Sequence, residues 1–253
     1  MTKKIIAVVN QKGGVGKTTT VVSLSAQLAA QGKSVLLVDL DPQSNATLGL
    51  GLPSDGLIGN TYDVLTHGVE LAEAVQNTRI PNLYILPSTT SLAGAEVELV
   101  TQPRREYRLQ RALDAAVYDY VLIDCPPSLG LLTINALTAA AMVLIPVQAE
   151  YYALEGLGQL LQTIQRIRRS LNPTLELLGV VVTMFDKRTS LSGQVLEELE
   201  KYFADRLFKT TIPRNIRLAE APSFGKTIFE HDRWSKGARA YKQLAKEIQK
   251  RAN

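Results

Sequence analysis

The sequence is poor in the residues that build disulfides, metal clusters and thiol chemistry. Its 253 residues hold one cysteine, Cys125, and two histidines, His67 and His231. A disulfide within the chain is impossible, and a Cys/His zinc cluster lacks ligands. A Ser-His-Asp hydrolase would rest on one of two isolated histidines, neither set among other chemical groups. Aromatic residues make up only 6%, with a single tryptophan, and no apolar stretch approaches the ~20 residues of a membrane helix. Met1-Thr2-Lys3-Lys4 leads directly into the short apolar run 5–9, with no small-residue cleavage site, so a cytoplasmic protein is expected. With 45% hydrophobic and 21% charged residues, disordered and fibrous classes are excluded.

Charge is what the chain has in excess, and only at one end. The net charge is +4. Residues 1–200 carry 15 Lys/Arg against 19 Asp/Glu, whereas residues 201–253 carry 13 against 5. A basic C-terminal fifth on a mildly acidic body suits a polyanion partner. A solvated, lysine-rich closing helix has the same composition.

Apolar runs at 5–9, 35–38, 83–86, 120–123, 142–147, 177–183 and 208–212 read as strands. Helical patterns at 18–31, 104–117, 154–171, 190–205 and 238–251 lie between them. Several runs are apolar at consecutive positions, as strands are when helices cover both sheet faces. The alternation predicts an α/β fold with a doubly wound, mainly parallel sheet flanked by helices. Residues 49–60, rich in Gly and Ser, read as a loop. No repeat or linker divides the chain, so residues 1–253 are expected to form one domain.

The sharpest motif follows the first strand: Lys12-Gly13-Gly14-Val15-Gly16-Lys17-Thr18-Thr19. A strand, a glycine-rich turn and a helix start converge backbone N–H groups on an anion at a positive helix end. Gly13, Gly14 and Gly16 permit positive φ and close approach of backbone to phosphate. Lys17 can bridge the β- and γ-phosphates of ATP, and the Thr18 hydroxyl can ligate Mg²⁺. The general pattern wants a glycine where this chain has Gln11.

Two aspartate motifs end later strands, where ligands bind in open α/β sheets. They are Asp39-Leu40-Asp41-Pro42-Gln43 and Asp124-Cys125-Pro126-Pro127. A buried strand-end aspartate is costly without a cation or hydrogen bonds. Asp124 is accordingly assigned to Mg²⁺ through metal-bound water; strand-end caps are the alternative for either motif alone.

Lysine at position 12, within Lys-Gly-Gly-Val-Gly-Lys-Thr, resembles the deviant Walker A motif of the ParA/MinD superfamily of P-loop NTPases. Asp-Cys-Pro-Pro-Ser-Leu-Gly (124–130), Glu-Tyr-Tyr-Ala-Leu-Glu-Gly (150–156) and Pro-Arg-Asn-Ile-Arg-Leu-Ala-Glu-Ala-Pro-Ser (213–223) resemble the ParA/Soj family, over residues 4–250. The resemblance implies a slow Mg²⁺-dependent ATPase that partitions a chromosome or plasmid. It further implies that Lys12 reaches the partner's nucleotide in an ATP-sandwich homodimer, that Asp41 orients the attacking water and that Asp39 supports the metal shell. On the same resemblance the dimer is expected to bind double-stranded DNA without sequence preference and to reside on the nucleoid, with hydrolysis stimulated by a ParB-like protein. By the same analogy Arg188 and Arg217 contact DNA, with Lys226, Arg233 and Lys236 as further candidates, and the base of ATP lies against Met184–Asp186 and 213–215, that is Met184, Pro213 and Asn215. Iron–sulfur relatives need more than Cys125, which reads as a small buried residue.

Two other readings stay open. One is a cargo-positioning or MinD-like membrane-associated ATPase. The closing stripe of Tyr241, Leu244, Ala245 and Ile248 is narrow for a membrane helix and suits packing on the body of the protein, so no stable membrane association is expected. The other is a metabolic P-loop enzyme that phosphorylates or amidates a small molecule.

Overall fold

Seven strands form one sheet in the order β3-β4-β2-β5-β1-β6-β7 in the computed structural model. The strands are β1 (Lys4–Val8), β2 (Val35–Asp39), β3 (Gln76–Asn77), β4 (Leu83–Leu86), β5 (Tyr120–Asp124), β6 (Met142–Gln148) and β7 (Glu176–Thr183). All neighbouring pairs are parallel except the short edge pair β3–β4. The structure describes residues 3–53, 56–150 and 155–252. The start of the predicted 154–171 helix, most of the 150–156 motif, part of the 49–60 loop and both chain ends lie outside the described residues.

Period-2 alternation sorts the strand side chains onto two buried layers. Ile6, Val8, Val35, Leu37 and Leu122 face α1 (Lys17–Ala29) and α11 (Lys236–Arg251). Ala7, Val9, Leu36, Val38 and Ile123 face the opposite layer, with α5 (Arg108–Asp114), α6 (Leu131–Ala139) and α7 (Glu155–Ser170). Covering both faces is what makes these runs continuously apolar. In α11 the predicted stripe is fully used: Tyr241, Leu244, Ala245 and Ile248 are at most 1% exposed. Burial of each large member contributes about 1.5–3 kcal/mol, so this stripe is committed to the domain's own core.

The run 208–212 forms no strand. Phe208 and Ile212 donate N–H bonds to Val180 and Val182 of β7, but the N–H groups of Lys209 and Thr210 go to the Glu247 carboxylate on α11. The remaining pairing is reduced to isolated bridges, Val180 with Leu207 and Phe185 with Pro213. The predicted helix 104–117 shrinks to α5, because Arg104 sits in the left-handed region (φ 54) and a 3-10 turn, Arg105–Tyr107, follows it. Helix α6 gave no sequence signal. It is apolar nearly all round, so it has no polar face to reveal a 3.6-residue period. Short helices α2 (Asn45–Gly49), α3 (Leu71–Ala74), α4 (Leu92–Glu98), α9 (Ile216–Glu220) and α10 (Ile228–Asp232) also escaped prediction, whereas α8 (Ser190–Phe203) was expected.

Candidate functional site

The loop between β1 and α1 is pinned on both sides before any ligand enters. The Asn10 amide donates to the Pro146 carbonyl at 2.7 Å, and its side-chain oxygen accepts the Lys12 N–H at 2.9 Å. The Thr183 hydroxyl donates to the Val15 carbonyl at 2.8 Å, holding the loop against the end of β7. Gly14 and Gly16 take φ of 76° and 85°, so glycine is needed at both. Gly16 caps α1 without a side-chain hydrogen bond, and no acidic residue stands in the first turn. By contrast, Ser235 caps α11 through the Ala238 N–H, and Thr227 and Glu230 form a reciprocal capping box on α10. The first N–H groups of α1 are therefore left for an anion at the positive helix end.

Lys17 opens α1 and is 6% exposed, with its ammonium 3.2 Å from the Lys12 carbonyl. Burial lowers its pKa, and the charge of Asp124 opposes that shift. Asp124 and Asp39 stand opposite each other in the parallel β2–β5 register. Both are fully buried, yet their surroundings differ. Asp39 accepts from the Thr47 N–H (2.8 Å), the Thr47 hydroxyl (2.7 Å) and the Asp41 N–H (3.2 Å). Neither Asp124 oxygen has a hydrogen-bond partner of ordinary geometry. Burial, then the charge of Asp39, pushes the Asp124 carboxyl well above its usual range, while the neighbouring Thr18 hydroxyl and Lys17 ammonium pull the other way. An orphaned buried carboxylate beside Thr18 and Lys17 fits a divalent cation shared with phosphates and water. Asp39, expected to support the metal shell, stands beside Asp124 with its oxygens accepting from Thr47 and Asp41. Cys125 is fully buried, and burial pushes its thiol pKa up, which leaves it inert.

A cavity of about 980 Å³ extends from this loop. Gly13, Gly14, Gly16, Lys17, Thr18 and Thr19 line it together with Asp41, Met184, Pro213, Asn215 and Lys226. The volume suits a nucleotide-sized ligand. The predicted phosphate, water-orienting and base residues are thus brought to one space. Val15 is buried beneath the loop, and Lys12 faces away from it. The half-exposed Lys12 ammonium pairs with Glu150 at 2.7 Å.

The basic candidates divide. Arg188, on the turn after β7, is highly exposed and grips Asp186 with two bonds of 3.0 and 2.7 Å, holding that carboxyl down to about 2. Arg217 on α9 pairs with Glu220 (2.9 Å) and Asp232 (3.7 Å). Arg233 lies over the Trp234 ring at 5.2 Å, and Lys236 starts α11 on the surface. Sequence reasoning missed Asn10, Thr183 and Glu150, which hold the loop and its lysine, and Gln43 and Asn45, which line the cavity. Asn10, two residues before a lysine whose N–H it accepts, carried a readable Asx-turn signal; the others act across long sequence separations.

A family model described as an AAA domain matches residues 3–177. The chain is 57% identical to the sporulation initiation inhibitor protein Soj of Bacillus subtilis, over 97% of this chain and 98% of that protein. It is 52% identical to the chromosome-partitioning ATPase Soj of Thermus thermophilus, over 97% and 95% of the two chains. Among solved structures, a Mycobacterium smegmatis protein described as cobyrinic acid a,c-diamide synthase, with bound ATP analogue and magnesium, superposes with a TM-score of 0.83 at 42% identity, over 97% and 93% of the two chains. With relatives this similar spanning nearly its whole length, and with its parallel sheet and deviant phosphate loop, the chain belongs to the ParA/Soj family of P-loop ATPases.

Proposed function

We propose that the chain, acting as one unit over residues 1–253, is a partitioning ATPase in which ATP binding drives dimerisation and DNA retention. The observation that carries this reading is the cavity joining the open α1 N-terminus, Lys17 and Thr18 to Met184, Pro213 and Asn215, with the orphaned Asp124 buried behind Lys17 and Thr18. The loop amides and Lys17 hold the phosphates. Thr18 and Asp124 are the residues that hold Mg²⁺, which when bound neutralises phosphate charge. Asp39 positions Asp41 and α2 through its three hydrogen bonds. Asp41, on the cavity wall, orients the attacking water.

Lys12 leaves Glu150 and enters the partner's nucleotide site; an exposed ion pair of this kind costs at most about 1 kcal/mol to exchange. Helix α9 links the cavity to the outer face. Ile216, Leu218 and Ala219 line the cavity, while Arg217 and Glu220 form ion pairs outside it. A nucleotide seated against α9 therefore sets the position of Arg217. Closure doubles the basic face, so phosphate contacts add and DNA affinity rises. A ParB-like partner then completes the catalytic arrangement, and hydrolysis returns monomers from the nucleoid to the cytoplasm.

The test is duplex-DNA binding by the purified protein with no nucleotide, ADP or a slowly hydrolysed ATP analogue, alongside Lys12→Ala. Retention is expected only with the analogue and only in the wild type, with Lys12→Ala still binding nucleotide as a monomer by light scattering. Equal retention in all three nucleotide conditions would remove the reading. A second reading, small-molecule amidation, takes support from the description of the Mycobacterium smegmatis relative; it predicts turnover stimulated by a small substrate and indifferent to DNA. Membrane recruitment through α11 has no free apolar stripe to use, since Tyr241, Leu244 and Ile248 are buried.

A further inference from the structure

The face outside α9 carries more than charge. Trp234, the chain's single tryptophan, is 76% exposed, and Phe224 is 62% exposed. Tryptophan and other aromatic side chains are enriched where a surface binds a partner, because one ring supplies a large contact area. The two residues flank one run of contacts. Phe224 stacks on His231 with centroids 5.1 Å apart; His231 meets Glu220 at 3.4 Å, and Glu220 pairs with Arg217. Arg217 also reaches Asp232, whose carboxylate accepts the backbone N–H of Trp234 at 3.1 Å. Arg233 then lies over the indole.

We propose that Trp234 and Phe224 are apolar contacts to duplex DNA, packing against sugars and base edges between phosphates held by Arg217 and Arg233. The inference rests on the DNA-binding reading above and adds to it a contact that is not electrostatic. Charge selects the occupant. Residues 201–253 carry 13 Lys/Arg against 5 Asp/Glu, and Glu220 and Asp232 of this network already hold Arg217 in place for exchange with phosphate. A lipid surface would need a continuous apolar stripe, whereas here the rings stand separately among ion pairs. Side chains of this type pack into DNA grooves or stack on bases.

Trp234 supplies its own signal, because no other tryptophan emits. Emission is measured with the slowly hydrolysed ATP analogue alone, then with duplex DNA at low salt, and separately with vesicles rich in anionic lipid. The expected result is quenching that begins on DNA addition and follows its binding curve. Trp234→Ala should weaken duplex binding about five- to tenfold while leaving the salt slope unchanged, since no phosphate contact is lost. Trp234→Phe should restore most of the affinity, and Arg217→Glu should reduce the slope. Duplex binding with unaltered emission and unaltered affinity in Trp234→Ala would overturn the inference and leave the DNA-binding reading intact. No duplex binding at all would overturn both. Emission that changes fully on analogue alone assigns the rings to a second copy, and a blue shift on vesicles alone assigns them to lipid; either result overturns the inference.

Discussion

The ends of β2 and β5 are a matched pair with opposite fates. Asp39 and Asp124 sit at the same register, at the same fully buried depth, on adjacent strands. Asp39 is satisfied by three bonds from within the chain, and burial still raises its carboxyl to about 6. Asp124 has no such bonds and is raised further by burial and by Asp39 itself. The difference shows how a fold can leave one of two equally buried carboxylates satisfied and the other without donors. The first is closed by Thr47 of α2 and the Asp41 N–H, and the second lies beside Thr18 and Lys17 without such bonds.

The sharpest break in this comparison comes from Asp124→Asn. Mg²⁺-dependent ATP turnover should fall by about 10²–10³-fold. Unfolding of the metal-free protein should show little loss of stability, because the substitution removes a buried charge whose desolvation outweighs the pull of Thr18 and Lys17. A stability loss in denaturant titrations as large as that of the Asp39 variant would mean the two sites are alike. Asp39→Ala should instead destabilise the protein by about 3 kcal/mol, since Thr47 and the Asp41 N–H lose their acceptor. Thr47→Val tests whether that loss belongs to α2. It should cost about 1–2 kcal/mol and couple to Asp39→Ala in a double-mutant cycle, and strict additivity would detach Asp39 from α2.

The smallest effect concerns a carboxylate at the surface. Asp186 is held at about 2 by Arg188, below its ordinary 3.8. The folded form therefore binds its proton less readily than the unfolded form. The stabilisation is present above pH 3.8 and is lost as pH falls toward 2. In Arg188→Ala the NMR titration midpoint of Asp186 should return toward 3.8. Unlike the buried pair, this carboxylate should barely alter global stability, because solvent screens it.

Much of the fold was legible because its signals are local. The runs at 35–38 and 120–123 are strands, and the glycines at 14 and 16 adopt the positive φ that a phosphate-cradling turn requires. The run 208–212 misled because its composition is that of a strand, while Glu247, some 37 residues away, captured two of its donors. Helix α6 was invisible for the opposite reason, since burial on all sides erased its period. The same split runs through the site. Lys17 and Thr18 were fixed by spacing, but the partner of Lys12 at Glu150 and the supports from Asn10 and Thr183 depend on strands that meet only after folding.

The α/β class, the glycine-rich loop, the strand-end aspartates and the clustering of positive charge in residues 201–253 are readable from the chain alone, because each depends on neighbours within a few residues. Only the tertiary structure decided that Asp39 is satisfied while Asp124 is not, that α9 joins the cavity wall to an outer ion-pair network, and that Trp234 stands exposed beside it. Those outcomes turn on which donors, carboxylates and rings a parallel sheet brings together across distant segments, and hydrogen bonding and burial are decided by that proximity.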